Sequence, residues 1–70
     1  MRTLRDLSVD IEKKLVVNSI DDAKLDTRLL ISHVLKLDHI DYALNKNRIV
    51  SEKEYTVVMQ LVAQRLKRVP

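Results

Sequence analysis

The sequence predicts an all-α fold, a small up-and-down bundle of four helices, one of them short, joined by short connections. Apolar residues recur at the three- and four-residue spacing of helices in three long segments. Helix-start residues precede those segments and a fourth, shorter one. The 70 residues contain no internal repeat, low-complexity segment or flexible linker, so we expect a single domain over residues 1–70.

The first helix is predicted to begin after Thr3, whose hydroxyl is a typical N-cap with Asp6 three residues later. We expect it to end near Val17. Asn18 is expected to close it in the left-handed conformation, because the chain has no glycine for that position. Four apolar residues mark the face that packs: Leu4, Leu7, Ile11 and Leu15.

The second helix is predicted to run from an N-cap at Asp22 to about Leu35, at the centre of the bundle. Its apolar residues surround so much of its circumference that we expect other helices to wrap it. The apolar arc consists of Ala23, Leu30, Val34 and Leu37, flanked by Leu29 and Ile31. A single polar strip remains, formed by Lys24, Arg28, Ser32 and Lys36 at four-residue spacing.

The third helix is predicted to be short, with Asp38 as its cap and Asn45 or Asn47 at its end. The fourth has the clearest start, because Ser51 and Glu54 have the spacing of a capping box. We expect the fourth helix to continue to Pro70. Its core stripe is predicted to be Tyr55, Val58, Met59, Val62, Leu66 and Val69.

Composition excludes several classes of function. The chain has no cysteine, which rules out disulfides, zinc–thiolate sites and thiol nucleophiles. It has no glycine, which rules out the glycine-rich loops that cradle phosphates and dinucleotides. No apolar run is long enough for a membrane span or a signal peptide, so we expect a cytosolic protein that does not contact membrane. A net charge of +3 is too small to indicate nucleic acid as a partner.

Two pairs of ionisable residues suggest chemistry, and neither is convincing. Asp26 and His33 lie on one line of the second helix, but seven residues place them about 10 Å apart, too far for a direct hydrogen bond. We expect Asp26 to accept backbone or arginine hydrogen bonds and His33 to be half-buried. His33 and His39 have no suitably spaced third ligand. We therefore predict no catalytic, cofactor-binding or metal-binding residue.

Two alternatives remain open on the residues alone. The second and third helices could form a helix-turn-helix, with Asn45, Lys46 and Asn47 reaching bases, although Asp38 and Asp41 would then face phosphate. Val57 and Leu61 lie on the fourth helix, away from its core stripe. They either pack against the first helix or form an exposed apolar contact surface.

The order of the motifs resembles that of a known family. Residues 25–38, LDTRLLISHVLKLD, resemble the LDAELLLAHVLGLD stretch of bacterial peptide-chain release factor glutamine methyltransferases, the HemK/PrmC family. Residues 3–7 resemble the first helix of that family and residues 51–54 the start of the last helix of its N-terminal domain. Residues 65–70 resemble the segment that leads into its interdomain hairpin. The resemblance covers essentially the whole chain.

The departures from the family are informative. Ser19 and Lys36 stand where the family often has glycine, and Val69 stands where it has glutamate. The 70 residues contain neither the glycine-rich cofactor loop nor the Asn-Pro-Pro-Tyr motif of the methyltransferase domain. The resemblance therefore implies an N-terminal helical domain excised from a larger methyltransferase, without its catalytic domain.

The resemblance also implies a function. The parent enzyme would transfer a methyl group from S-adenosylmethionine to the glutamine of the Gly-Gly-Gln motif in release factors. This domain would dock the release factor and contact the catalytic domain of its own chain, while binding no cofactor itself. Two faces outside the core are candidates: Lys24, Arg28 and Lys36 for the release factor, and Val57, Leu61, Arg65 and Arg68 for the catalytic domain. The alternatives are a stand-alone nucleic-acid-binding module and a purely structural scaffold.

Overall fold

The computed structural model describes residues 2–67 and contains four helices and two very short strands. The elements in order are β1 (Arg2–Thr3), α1 (Leu4–Val17), α2 (Ala23–Leu35), α3 (His39–Leu44), β2 (Ile49–Val50) and α4 (Glu52–Leu66). The predicted small, mostly helical bundle is confirmed. The predictions that the fourth helix reaches Pro70 and buries Val69 fall outside the described residues.

All four predicted helix starts are confirmed, and three of them have a local side-chain cap. Thr3 Oγ1 accepts a hydrogen bond from the Asp6 amide at 3.2 Å, and the Asp6 carboxylate accepts one from the Thr3 amide. Ser51 and Glu54 form the same reciprocal box at the start of α4. The carboxylate of Asp38 accepts from the Asp41 amide at 2.7 Å. These contacts satisfy amides that a helix leaves unpaired in its first turn.

The turn between α1 and α2 departs from the prediction at one residue. Asp22 is the N-cap of α2 as predicted, although it is left-handed (φ 54°, ψ 40°) and its side chain accepts no capping hydrogen bond. Asn18 is not left-handed (φ −94°); Ser19 takes that conformation instead, at φ 60°. The reason is a Schellman closure, in which the amide of Ile20 reaches back to the carbonyl of Leu15 at 2.9 Å. That bond requires the left-handed residue one position later than predicted.

A two-stranded antiparallel sheet, which the sequence did not predict, joins the start of the chain to the segment before α4. Arg2 pairs with Val50 and Thr3 with Ile49. Strands of two residues are too short to show an alternating apolar pattern, so the sequence contains no signal that predicts them. The sheet fixes the first turn of α1 beside the segment between α3 and α4.

The core is built mainly by α1. All four residues of its predicted packing face are completely buried: Leu4, Leu7, Ile11 and Leu15. The predicted stripe of α4 is confirmed over the described residues, because Val58 and Val62 are buried while Tyr55, Met59 and Leu66 pack partly buried around them. The same core includes Tyr42 of α3 and Val50 of β2. One apolar core therefore joins all four helices.

The position of α2 is only partly as predicted. It contacts α1, α3 and α4, which supports its central place. The expectation that other helices wrap its apolar circumference up to Leu29 is wrong, because Leu25 and Leu29 are 43% and 54% exposed. Its most buried line runs through Thr27 and Ile31. Thr27 tolerates this position because its hydroxyl donates to the carbonyl of Ala23, at 2.7 Å, and leaves no unpaired polar atom.

Candidate partner-binding surfaces

The basic strip, formed by Lys24, Arg28 and Lys36, lies along one side of α2. Lys24 and Lys36 are exposed and Arg28 is half-buried. None of the three forms an ion pair within residues 2–67. At about 1.5 Å per residue, Lys24 and Arg28 are about 6 Å apart along the helix, and Arg28 and Lys36, with Ser32 between them, about 12 Å apart. The strip is thus a row of cations on a rigid helix, available to an acidic surface.

Lys36 has a second role, because it ends α2. It is left-handed (φ 56°, ψ 47°), and the next amide, of Leu37, bonds back to the Ser32 carbonyl at 3.0 Å. This closure turns the chain towards α3 and holds the backbone of Lys36 in place. The Ser32 hydroxyl oxygen beside it is buried and has no hydrogen-bond partner within the described residues.

The α2–α4 groove is a shallow apolar depression of about 390 Å³ between those two helices. Val57 is 39% exposed and Leu61 is half-buried, so the structure places both at the surface and not beneath α1. The alternative in which the pair packs against the first helix is therefore wrong, and the contact surface stays a prediction. The groove is lined by His33, Val34, Lys53, Glu54, Val57 and Leu61.

Leu25 and Leu29 extend the apolar surface along α2. They precede His33 by eight and four residues and so share its side of the helix. Sequence reasoning missed them, because it placed Leu29 beside the buried arc. They lie on the opposite side of α2 from the buried line of Thr27 and Ile31, and only the structure shows that this line faces the core. Exposed leucines next to an apolar groove are typical of a surface that another domain or protein covers.

Arg65 does not project freely from α4. Its guanidinium donates two hydrogen bonds to one carboxylate oxygen of Asp26, from Nε at 3.0 Å and from Nη2 at 2.6 Å. The two side chains are 22% and 20% exposed. The expectation that Asp26 accepts hydrogen bonds from an arginine is confirmed. The pair ties the end of α4 to the start of α2. Arg68, the other basic residue of the predicted interdomain surface, lies outside the described residues.

The candidate acid–base and metal pairs are not assembled. Asp26 is bound by Arg65, and His33 lies exposed in the α2–α4 groove, so its predicted half-buried state is wrong. No three His, Asp or Glu side chains among residues 2–67 come close enough together to hold a metal ion. Within the same residues no helix combines the length and apolar character needed to cross a membrane.

The helix-turn-helix alternative also lacks its base-reading residues. α3 has only six residues. The amide of Asn45 is used to donate to the carbonyl of Asp41, at 2.6 Å, and the side-chain oxygen of Asn47 accepts from Arg5 at 2.8 Å. A recognition helix needs side chains free to reach base edges along its exposed face. Two of the three residues that would reach bases, Asn45 and Asn47, follow α3 and are engaged in these local contacts.

The comparisons with known proteins identify the family of the chain. No curated protein and no solved structure matches the chain. A comparison with protein-family models matches residues 6–70 to the family described as the PrmC N-terminal domain. The match covers all four helices and agrees with the motif order of residues 25–38 and 51–54. The chain therefore belongs to the family of N-terminal domains of PrmC/HemK release factor methyltransferases.

Proposed function

We propose that this domain docks a peptide-chain release factor for an S-adenosylmethionine-dependent methyltransferase that modifies the glutamine of the Gly-Gly-Gln motif in the cytosol. The observation that carries the proposal is the basic strip of Lys24, Arg28 and Lys36. Within residues 2–67 these three cations have no carboxylate partner, and the helix beneath them is rigid. Such a row accelerates the encounter with an acidic partner and fixes its orientation.

The apolar surface is the better site for the catalytic domain of the same enzyme. The α2–α4 groove and the exposed Leu25 and Leu29 offer apolar area that a covalently linked domain would bury. Arg65 supports this contact indirectly, because its bond to Asp26 fixes the end of α4 relative to the groove. Arg68, which lies beyond the described residues, completes the proposed interdomain set with Val57 and Leu61.

The two proposed contacts lie on neighbouring sides of one helix. Two lines of side chains run next to each other along α2: the basic strip, and the line of Leu25, Leu29 and His33. Lys36, at the end of the strip, is the basic residue nearest to the second line. A release factor on the strip and a catalytic domain on the groove would therefore both contact α2. In this arrangement the domain holds the release factor beside the catalytic domain and takes no part in methyl transfer itself.

Reversing two charges tests the docking role. The double variant Arg28→Glu, Lys36→Glu should weaken binding of a release factor by about 1–2 kcal/mol, mainly through a slower association rate and more at low salt. The measurement is stopped-flow association with this chain and with the methyltransferase that carries it. Lys13→Glu, Lys14→Glu on the exposed side of α1 makes the same change in net charge and is the matched control. Unchanged association of the Arg28, Lys36 variant at low salt excludes the strip and leaves a scaffold role.

Calorimetry tests whether this domain takes part in cofactor binding. Titration of S-adenosylmethionine into this chain should give no binding heat, since the sequence has no glycine with which to build a cofactor loop. The double charge reversal should leave cofactor affinity of the full enzyme unchanged. A micromolar dissociation constant for the isolated chain contradicts a purely docking role.

A further inference from the structure

The sheet brings together basic residues that are far apart in the sequence. The amide of Arg5 bonds to the carbonyl of Lys46 at 3.0 Å, and Leu4 bonds to Arg48 at 2.8 Å. Arg2 lies in β1, opposite Val50. The start of the chain is thus held against the segment between α3 and β2. Four basic residues lie in these paired segments: Arg2, Arg5, Lys46 and Arg48. Two carboxylates share the region: Asp6, which accepts from the Thr3 amide, and Glu52, which lines a shallow depression together with Arg2.

Only one of these four cations is neutralised. Arg48 forms an ion pair with Glu54 at 2.7 Å. The other three, which we call the cation cluster, have no carboxylate within ion-pair distance among residues 2–67 and contact neutral groups instead. The Arg2 guanidinium lies 3.6 Å from the centre of the Tyr55 ring, and Lys46 Nζ lies 4.2 Å from that of Tyr42.

These neutral contacts hold the cations in place without cancelling their charge. Arg5 donates to the side-chain oxygen of Asn47 at 2.8 Å, which leaves the amide nitrogen of Asn47 free to donate in turn. Each of the three cations keeps its charge in these contacts and can therefore attract an anion. Side chains already ordered by aromatic and amide contacts lose little further freedom when they bind one.

We propose that Arg2, Arg5 and Lys46 form a binding site for the phosphate backbone of single-stranded RNA. The groups presented are donors only, guanidinium, ammonium and amide, which suits phosphate oxygens. Arg2 and Lys46 are held over two different rings, so their charges do not converge on one phosphate and fit a chain of phosphates better. The same cations cover both tyrosine rings, which leaves no open ring for base stacking. Binding is therefore independent of base sequence.

The site is separate from the proposed docking surfaces. It lies on β1, the first turn of α1 and the segment after α3, whereas those surfaces lie on α2 and α4. The net charge of +3 did not predict it, because the cluster exists only once the two segments are paired. The release-factor experiment and the RNA experiment test different surfaces, so the result of one does not decide the other.

Fluorescence anisotropy of a labelled uridylate oligomer of about 12 nucleotides tests the proposal with the complete chain. Three phosphate contacts on a single strand predict a salt slope of about −2, so binding should weaken about 50-fold between about 20 mM and about 150 mM salt. The variant Arg5→Gln, Lys46→Gln should bind at least about tenfold more weakly at the lower salt, with a slope near about −0.7. Lys13→Gln, Lys14→Gln, which removes the same charge from α1, should bind like the original protein. Circular dichroism verifies that each variant is folded.

Three results would overturn the proposal. One is the absence of anisotropy change at low salt with the original protein. Another is equal weakening in the two double variants, which would mean that net charge alone attracts the RNA. The third is equal or tighter binding of polyglutamate of matched length, which would assign the cluster to carboxylates of a protein partner.

Discussion

Ser19 and Lys36 both adopt the left-handed conformation, with φ of 60° and 56°. A residue with a Cβ atom is about 1–2 kcal/mol less favourable there than in a right-handed conformation. These are the two positions where the resemblance gives glycine in the family. The two left-handed positions thus coincide with the family's glycines, although the only left-handed residue predicted was Asn18. Asp22, the third left-handed residue, was not foreseen either.

Ser19→Gly should raise the free energy of unfolding by about 0.5–1 kcal/mol. Relief of strain in the folded state outweighs the greater freedom that glycine gives the unfolded chain. Urea denaturation followed by circular dichroism measures the change. Asn18→Gly is the matched control one residue earlier, where φ is −94°, and it should destabilise the protein. A loss of stability with Ser19→Gly would contradict the role of Ser19 in closing α1.

The ion pair between Asp26 and Arg65 should couple the two residues by about 1 kcal/mol in a double-mutant cycle. Both hydrogen bonds go to one oxygen, and both side chains are only about one-fifth exposed. Denaturation of Asp26→Asn, Arg65→Gln and the double variant provides the cycle. Arg48 and Glu54, whose side chains are 35% and 27% exposed, serve as a comparison and should give a smaller coupling that salt screens more. No coupling between Asp26 and Arg65 would show that the pair does not hold α4 to α2.

At the scale of elements, α2 has one side in the core and one side at the surface. Two substitutions, one on each side, should differ in their effect on stability. Ile31→Ala should cost about 2–4 kcal/mol, because the side chain is completely buried and leaves a cavity. Leu29→Ala, two residues away, should change stability by less than about 1 kcal/mol, because more than half of that residue is exposed. Urea denaturation of both variants is the measurement. Equal costs would indicate that other helices wrap α2 up to Leu29, as the sequence alone suggested.

The accuracy of the sequence-based predictions depended on how local each feature is. Thr3, Asp38 and Ser51 cap their helices through bonds to residues three positions away, and all three were predicted. Thr27 was not among the predicted core residues, yet it is buried, and its hydroxyl donates to a carbonyl within its own helix. Exposure of Leu29 depends on whether another element covers it, which no pattern within α2 reveals. The basic strip was identified because helical spacing determines it, whereas the cation cluster depends on pairing across more than forty residues.

For the whole molecule, the pairing of β1 with β2 closes the fold at its first residues. The first amides of a helix normally lack partners, but those of Leu4 and Arg5 donate to the carbonyls of Arg48 and Lys46. We therefore expect these two amides to exchange with deuterium about as slowly as amides in the middle of α1. Hydrogen exchange followed by NMR measures this. The amides of Glu52 and Lys53, in the first turn of α4, are the comparison and should exchange rapidly. Rapid exchange at Leu4 and Arg5 would mean that the sheet opens independently of the core.

The stacking of cations on the tyrosine rings gives this protein an internal optical probe. Tyr42 and Tyr55 are its only aromatic side chains apart from the histidines, since it has neither tryptophan nor phenylalanine. Tyr42 is buried in the core, and each ring lies under a cation of the cluster. Tyrosine fluorescence therefore arises from two rings. It should change when the core unfolds and when Arg2 or Lys46 moves away from its ring. Folding and anion binding can be followed in the unlabelled protein with a single spectrometer channel.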